Sequence, residues 1–398
     1  MQRPGRVSEV FLAFLRLGLT SFGGPVAHLG YFRDDLVERR RWMDDRAYAD
    51  LVALCQFLPG PASSQVGFAM GLQRAGMLGA LAAFVAFTLP SAVILVAFAA
   101  GASLVGGPVG DGVLSGLKII AVAIVAHAVW GMARTLTPDA RRAGVAVIAL
   151  AVALIAPGAL GQIGALVIGV VAGLWLLRGV AEPPAAALAP FGVSRRVAVV
   201  CLVLAVAGLV GLPVLVAVTG SGTVALADAF FRSGALVFGG GHVVLPLLQA
   251  AVVETGWVSP EVFLTGYGAA QAVPGPLFTF AAYLGAVSDV GPGGVAGAAI
   301  ALLAIFVPGF LVLVGVLPFW DALRGRPRVR AAMRGANAAV VGILAAALYS
   351  PVFTTAVTGP GPFVLAVLGF VLLTAFRAPA WAVVLVGAAG GVLLGLIG

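Results

Sequence analysis

One short pattern occurs twice in this chain, about 215 residues apart, and it restricts the fold more than any other feature. The first copy reads FLRLGLTSFGGPVAHL over Phe14–Leu29, then Trp42, then QFLPGP over Gln56–Pro61. The second reads FFRSGALVFGGGHVVL over Phe230–Leu245, then Trp257, then QAVPGP over Gln271–Pro276. Arg16 and Arg232 each stand six residues before FGG, and Gln56 and Gln271 each stand three before PGP. Apolar segments share composition by chance, but not this order of unlike residues at matched spacing. The chain reads as a duplication whose helices break at fixed places.

The breaks lie in apolar sequence. Of the 398 residues, 61% are hydrophobic and 10% charged, where a soluble domain carries about 25% charged residues. Apolar blocks such as Gly76–Val105, Gly112–Ala133, Val197–Val218, Gly294–Pro318 and Ala380–Gly398 match the roughly 20 residues that span a bilayer. The expected fold class is an all-α polytopic membrane protein. The net charge of +8 does not point to nucleic acid, because the arginines sit between apolar blocks, as the positive-inside rule requires. Arg3 and Arg6 before an apolar run resemble a signal peptide, but Arg16 interrupts that run, so the segment is read as retained. Cys55 and Cys201 form no metal spacing and read as small buried residues.

If the arginine clusters are cytoplasmic, the topology follows. Arg3/Arg6 and Arg33–Arg46 share a side, so the segment between them predicts a re-entrant hairpin of half-helices Ser8–Ser21 and Val26–Arg40. Its break is Phe22-Gly23-Gly24-Pro25. Ala47–Arg74 predicts a second hairpin, broken at Pro59-Gly60-Pro61. Non-helical backbone at that depth needs cover from protein or a water cavity. The second copy has acidic flanks, Glu254, Glu261 and Asp289. The charge bias thus inverts between similar sequences, as in inverted-repeat transporters. The competing reading has every motif segment span fully. The expected domains are residues 1–178, a first repeat; 179–227, a cytoplasmic linker with one connecting helix; and 228–398, a second repeat.

Several residue types suit an anion. Arg16 and Arg232 are matched charges in apolar surroundings, a functional signal by default, although each could snorkel to the interface. Lys118 is the chain's single lysine, and its repeat partner is Asn337. Half-helices starting at Pro25 or Pro61 aim free N–H groups toward mid-membrane, where helix N-termini bind anions. The hydroxyls of Ser21, Ser63, Ser64 and Thr279 could bind an oxyanion or cap a helix instead. Gln56 and Gln271 are read as braces of the breaks or as ligands. The second copy adds Phe238, Gly239, Gly240 and His242 at its first break and Pro274, Gly275 and Pro276 at its second. His28, like any single histidine on an apolar helix, reads as a core residue. No HExxH, Walker loop, Cys/His cluster or Ser-His-Asp setting occurs, so no catalytic residue, metal or cofactor is expected. Intramembrane acids are nearly missing, which favours an anion over a cation as cargo.

The R-x-G-x-x-x-FGGP segment, the Trp after an Arg-rich loop and the Q-F-x-PGP segment resemble the chromate ion transporter family, in its long two-domain type. The resemblance covers about Val7–Ser103 with Lys118 and Asp228–Leu317 with Asn337. One departure is Gly241 where the first copy has Pro25. The resemblance implies export of chromate, with sulfate as structural mimic, by a multi-pass protein of the bacterial inner membrane. The expected partners are that anion, the lipid bilayer and a second copy in a homodimer, with no nucleic acid. Sulfate uptake and an anion channel are the alternative functions.

Overall fold

A computed structural model describes residues 5–22, 24–102, 107–156, 159–177, 191–237, 243–320 and 326–397. It is all-α, with no strand among the described residues. The first repeat comprises α1 (Val7–Thr20), α2 (Gly24–Phe32), α3 (Asp45–Phe57), α4 (Ala62–Ala102), α5 (Gly107–Leu136), α6 (Ala140–Ile155) and α7 (Ala159–Leu176). The connecting helix is α8 (Arg195–Thr219), which presents most of its surface outward, as a lipid-facing helix would. The second repeat comprises α9 (Gly222–Ala235), α10 (Val244–Leu248), α11 (Pro260–Ala272), α12 (Phe280–Val287), α13 (Gly294–Val316), α14 (Pro327–Ala347), α15 (Pro360–Thr374) and α16 (Ala380–Ile397). A π-helical turn follows both α2 (Arg33–Arg39) and α10 (Gln249–Val253). Among the described residues, five helices are long and apolar enough to cross a membrane.

Local chemistry accounts for the starts and stops. Asp44 caps α3 by accepting from the Ala47 N–H, and Ser259 caps α11 at the Val262 N–H with Pro260 in the first turn. Both expected hairpins are present. α1 and α2 flank the first break, and α3 ends at Phe57 before Leu58–Pro61. Continuous as a straight rod, the 41 residues of α4 would run about 60 Å, twice the hydrocarbon core. Instead the chain reverses at Ala75–Gly76, where Gly76 has φ +66°. The two limbs of α4 then touch: a Cβ on Gly71 would lie 2.5 Å from the Gly79 carbonyl oxygen. The second repeat makes the same contact, 2.3 Å from Gly285 to the Gly297 oxygen. Of the expected linker, residues 179–190 lie outside the described residues, as do Gly23, Phe238, Gly239, Gly240 and His242.

The repeats are intertwined. α5 packs along α16 and α15 of the other repeat, and α14 packs along α7 and α6. Glycines make this possible. A Cβ on Gly116 would meet the Gly387 oxygen at 2.1 Å, and one on Gly335 would meet the Gly169 oxygen at 2.0 Å. Gly112 faces Val392 while Gly116 faces Gly387, so α5 and α16 run antiparallel. α7 and α14 are antiparallel by the same test, with Gly173 on Ala331 and Gly169 on Ala339. α5 already spans about 45 Å, so the short link to α6 must turn the chain back, and α7 runs parallel to α5. The equivalent helices α7 and α16 therefore point in opposite directions, the relation of inverted repeats. Helices in lipid associate through such close small-residue contacts rather than through a hydrophobic drive.

This packing predicts that Gly335→Val destabilises the protein by about 1–3 kcal/mol, the usual cost of overpacking. The apparent melting temperature of purified protein should fall by several degrees. Gly131→Val, at a glycine with open space around it, should leave it unchanged. Equal shifts would remove the argument.

Candidate functional site

The four breaks cross-pair at the centre of the molecule. The Gly60 N–H donates to the Val237 carbonyl at 2.8 Å, and the Gly275 N–H donates to the Ser21 carbonyl at 2.9 Å. Gly60 and Gly275 occupy one column of the repeat, and Val237 and Ser21 occupy another, so this is one contact made twice. Both glycines have left-handed backbone, φ +118° and +104°, which a side chain disfavours. Each also abuts the proline turn of the other repeat's long helix. A Cβ on Gly60 would lie 2.9 Å from Gly309 Cα, and one on Gly275 would lie 2.8 Å from Ser91 Oγ.

Around this crossing the first repeat buries a polar cluster: Ser21, His28, Ser63, Ser64, Gln65, Thr88 and Ser91. His28 has no exposed surface, lies 3.4 Å from Ser63 Oγ through Nδ1 and meets the Phe87 ring edge-on at 5.3 Å. Gln65 braces the break, its Nε2 donating to the Pro59 and Gly309 carbonyls at 2.9 Å each. The Ser91 hydroxyl donates to the Thr88 carbonyl. The Ser21, Ser64 and Thr88 hydroxyls and His28 Nε2 are buried with no hydrogen-bond partner. An unmade bond at a buried polar atom costs about 1–3 kcal/mol, so a cluster of them is a place where bound water or a ligand would lower the energy. The N-terminus of α4 opens into the same region at Ala62–Ser64, and its first-turn N–H groups have no partner within the helix.

Among the described residues, the second repeat has no such cluster. The columns of Ser21, His28, Ser63, Gln65 and Thr88 hold Val237, Val244, Phe278, Phe280 and Phe306, all buried. Thr279 stands in the column of Ser64, but its hydroxyl donates to the Pro276 carbonyl at 2.7 Å.

The charged candidates lie outside the cluster. Arg16 is exposed on α1. Arg232 is half-buried and paired with Asp228 one turn earlier, in a cavity of about 240 Å³ with Trp257 and Thr255. Lys118 is half-buried, with no hydrogen bond or ion pair among the described residues. Asn337 is half-buried with an unpartnered Oδ1. Gly24 has φ +78°, Pro25 is half-buried, and the Phe22 ring packs on Trp381 at 6.4 Å. Pro59 and Pro274 are half-buried, while Pro61 and Pro276 are buried. Gln65, rather than Gln56, braces the first break. Gln65, Thr88 and Ser91 go unnoticed in the sequence, while His28 is buried, as the core reading expects. The available signal was their absence from the matching columns of the second copy.

The repeats also pack unequally. α11 lies along α5 and α16, with Gly268 against Leu117, whereas α3 makes no comparable contact with α14 or α7. Gln56 on α3 is accordingly exposed, while Gln271 on α11 is half-buried, its Nε2 without a hydrogen-bond partner.

Gly60→Ala and Gly275→Ala should each destabilise the protein by about 1–3 kcal/mol, the cost of a side chain held in left-handed backbone. Each should also lower transport. Unfolding midpoints of both variants check this, and a wild-type midpoint in either would contradict the crossing.

Comparison with known proteins identifies the family. The sequence profile of the Chromate transporter family matches residues 8–176 and again 224–392. The chain is 29% identical over 351 residues to a chromate transport protein of Pseudomonas aeruginosa, covering 86% of this chain and 80% of that one. It is 27% identical over 398 residues to a chromate transport protein of Cupriavidus metallidurans, covering 98% and 92%. It is 28% identical over 341 residues to a probable chromate transport protein of Synechococcus elongatus, covering 84% and 82%. No solved structure matches. With both halves of the chain matched, the chain belongs to the chromate transporter family.

Proposed function

We propose that this protein is a secondary transporter that exports chromate, or a sulfate-like tetrahedral oxyanion, across the bacterial inner membrane and so confers chromate resistance. The observation that carries the reading is the set of buried, unpartnered atoms at the crossing of the breaks: Ser21 Oγ, His28 Nε2, Ser64 Oγ and Thr88 Oγ1. A tetrahedral oxyanion presents acceptor oxygens in several directions, and hydroxyls, an imidazole N–H and the first-turn N–H groups of α4 are donors that converge on them. Hydrogen bonds to a charged partner are stronger than neutral ones, and the dipole of α4 adds to them. Arg16 and Lys118 supply a positive field that draws the anion in, rather than direct contacts. The one-sided cluster gives the first repeat most of the binding. The second repeat seals the crossing with buried aromatic rings.

The unequal packing of α3 and α11 supports alternating access. The first repeat's hairpin stands open while its counterpart is closed, and exchanging the two arrangements would carry the site to the other face. The membrane potential contributes roughly 2.3 kcal/mol per charge per 100 mV, and about twice that for an exported dianion. Voltage is therefore a sufficient drive without a proton relay.

The test is labelled chromate and sulfate flux into inside-out vesicles. Transport should saturate and persist when the pH gradient alone is collapsed. His28→Ala and Ser64→Ala should each raise KM roughly tenfold or more. That is the effect of losing a hydrogen bond to a charged group worth about 1.5–3 kcal/mol, at 1.4 kcal/mol per factor of ten. Unsaturable flux, or an unchanged KM in both variants, would contradict the reading.

A further inference from the structure

A second polar cavity, of about 290 Å³, lies away from the crossing, where α6 and α7 of the first repeat meet α10, its π-helical turn and α14 of the second. Its exposed rim carries Glu254, Tyr349 and Ser350. Its inner wall carries Gln162 and Gln249, which are 7% and 8% exposed. Gln162 Nε2 donates to the Pro246 carbonyl at 2.8 Å, which fixes the direction of the amide and leaves its Oε1 as the free atom. That oxygen has no hydrogen-bond partner, and neither has Gln249 Oε1. Two buried amide oxygens left without donors are costly. They share one cavity with a carboxylate and two hydroxyls, all of them oxygen ligands.

We propose that this cavity binds a monovalent alkali cation. Oxygen-only ligation suits a hard cation. A single carboxylate at the rim supplies too little charge for the divalent ions, which favour several carboxylates. Among the described residues no group of three His, Cys, Asp or Glu side chains could hold a transition metal. The cation would bridge the two repeats. Gln162 also lines the neighbouring cavity that holds the Asp228–Arg232 pair, so an ion on its amide oxygen is felt on both sides of the wall. π-helical turns often mark functional sites because they disturb the helix hydrogen-bond ladder. Here such a turn begins at Gln249, a proposed ligand.

The test needs no chromate, so its outcome is separate from that of the transport reading. Equilibrium binding of radiolabelled sodium and rubidium to purified full-length protein should show one saturable site for at least one of them. The same ion should raise the melting temperature relative to N-methylglucamine at equal ionic strength. Gln249→Leu and Gln162→Leu should abolish both effects, and Glu254→Gln should raise the half-saturating concentration roughly tenfold. No saturable binding to the wild type overturns the proposal, whatever the variants do. Retention of wild-type binding in a folded Gln249→Leu or Gln162→Leu protein overturns it equally.

Discussion

The structure depends on a backbone hydrogen bond made twice. At each PGP break the glycine N–H reaches across to the carbonyl just before the other repeat's FGG, Gly60 to Val237 and Gly275 to Ser21. Broken helices leave unpaired backbone groups, and in a membrane no water is at hand to pair them. Neither repeat satisfies these groups from within itself. Each supplies the acceptor that the other lacks, which explains why the breaks must meet and why the motif must occur twice. Only glycine fits at the two donor positions, because φ is positive and the neighbouring repeat stands within 3 Å of where a Cβ would be.

The exchange of helices between repeats holds the crossing in place. α5 is gripped by α15 and α16, and α14 by α6 and α7, through glycine contacts in matching columns. On this symmetric frame the chemistry is one-sided. Serine, histidine, glutamine and threonine in the first repeat face valine and phenylalanine in the corresponding columns of the second. A shared architecture thus carries a polar wall on one side and an apolar one on the other. The closed contact of α11 on α5, with no equivalent at α3, adds a conformational difference to the chemical one.

Much of this was legible from particular residues. Pro-Gly-Pro and Phe-Gly-Gly announce helix breaks through local backbone chemistry, and the arginine distribution implies which segments turn back. The hairpins at Val7–Arg39 and Asp45–Arg74 follow from those signals alone. The exchange of α5 and α14 was not legible, since small residues spaced for close packing do not name their partner helix. Arg232 reads as an isolated charge in apolar sequence, but Asp228, four residues earlier, lies with it inside α9 and pairs with it. His28 was discounted because a single histidine on an apolar helix lacks context. Its meaning depends on Ser63, thirty-five residues away. The buried amides Gln162 and Gln249 carry no sequence motif and become visible only through their missing partners.

The central claim is that the anion rests at the crossing of the breaks, held by neutral donors of the first repeat. Anomalous scattering from chromium in crystals of the chromate complex tests it most directly. The account predicts a peak within hydrogen-bonding reach of Ser21, His28 and Ser64, beside the N-terminus of α4. A peak resting instead against Arg16 or Lys118, with the buried cluster empty, would contradict it.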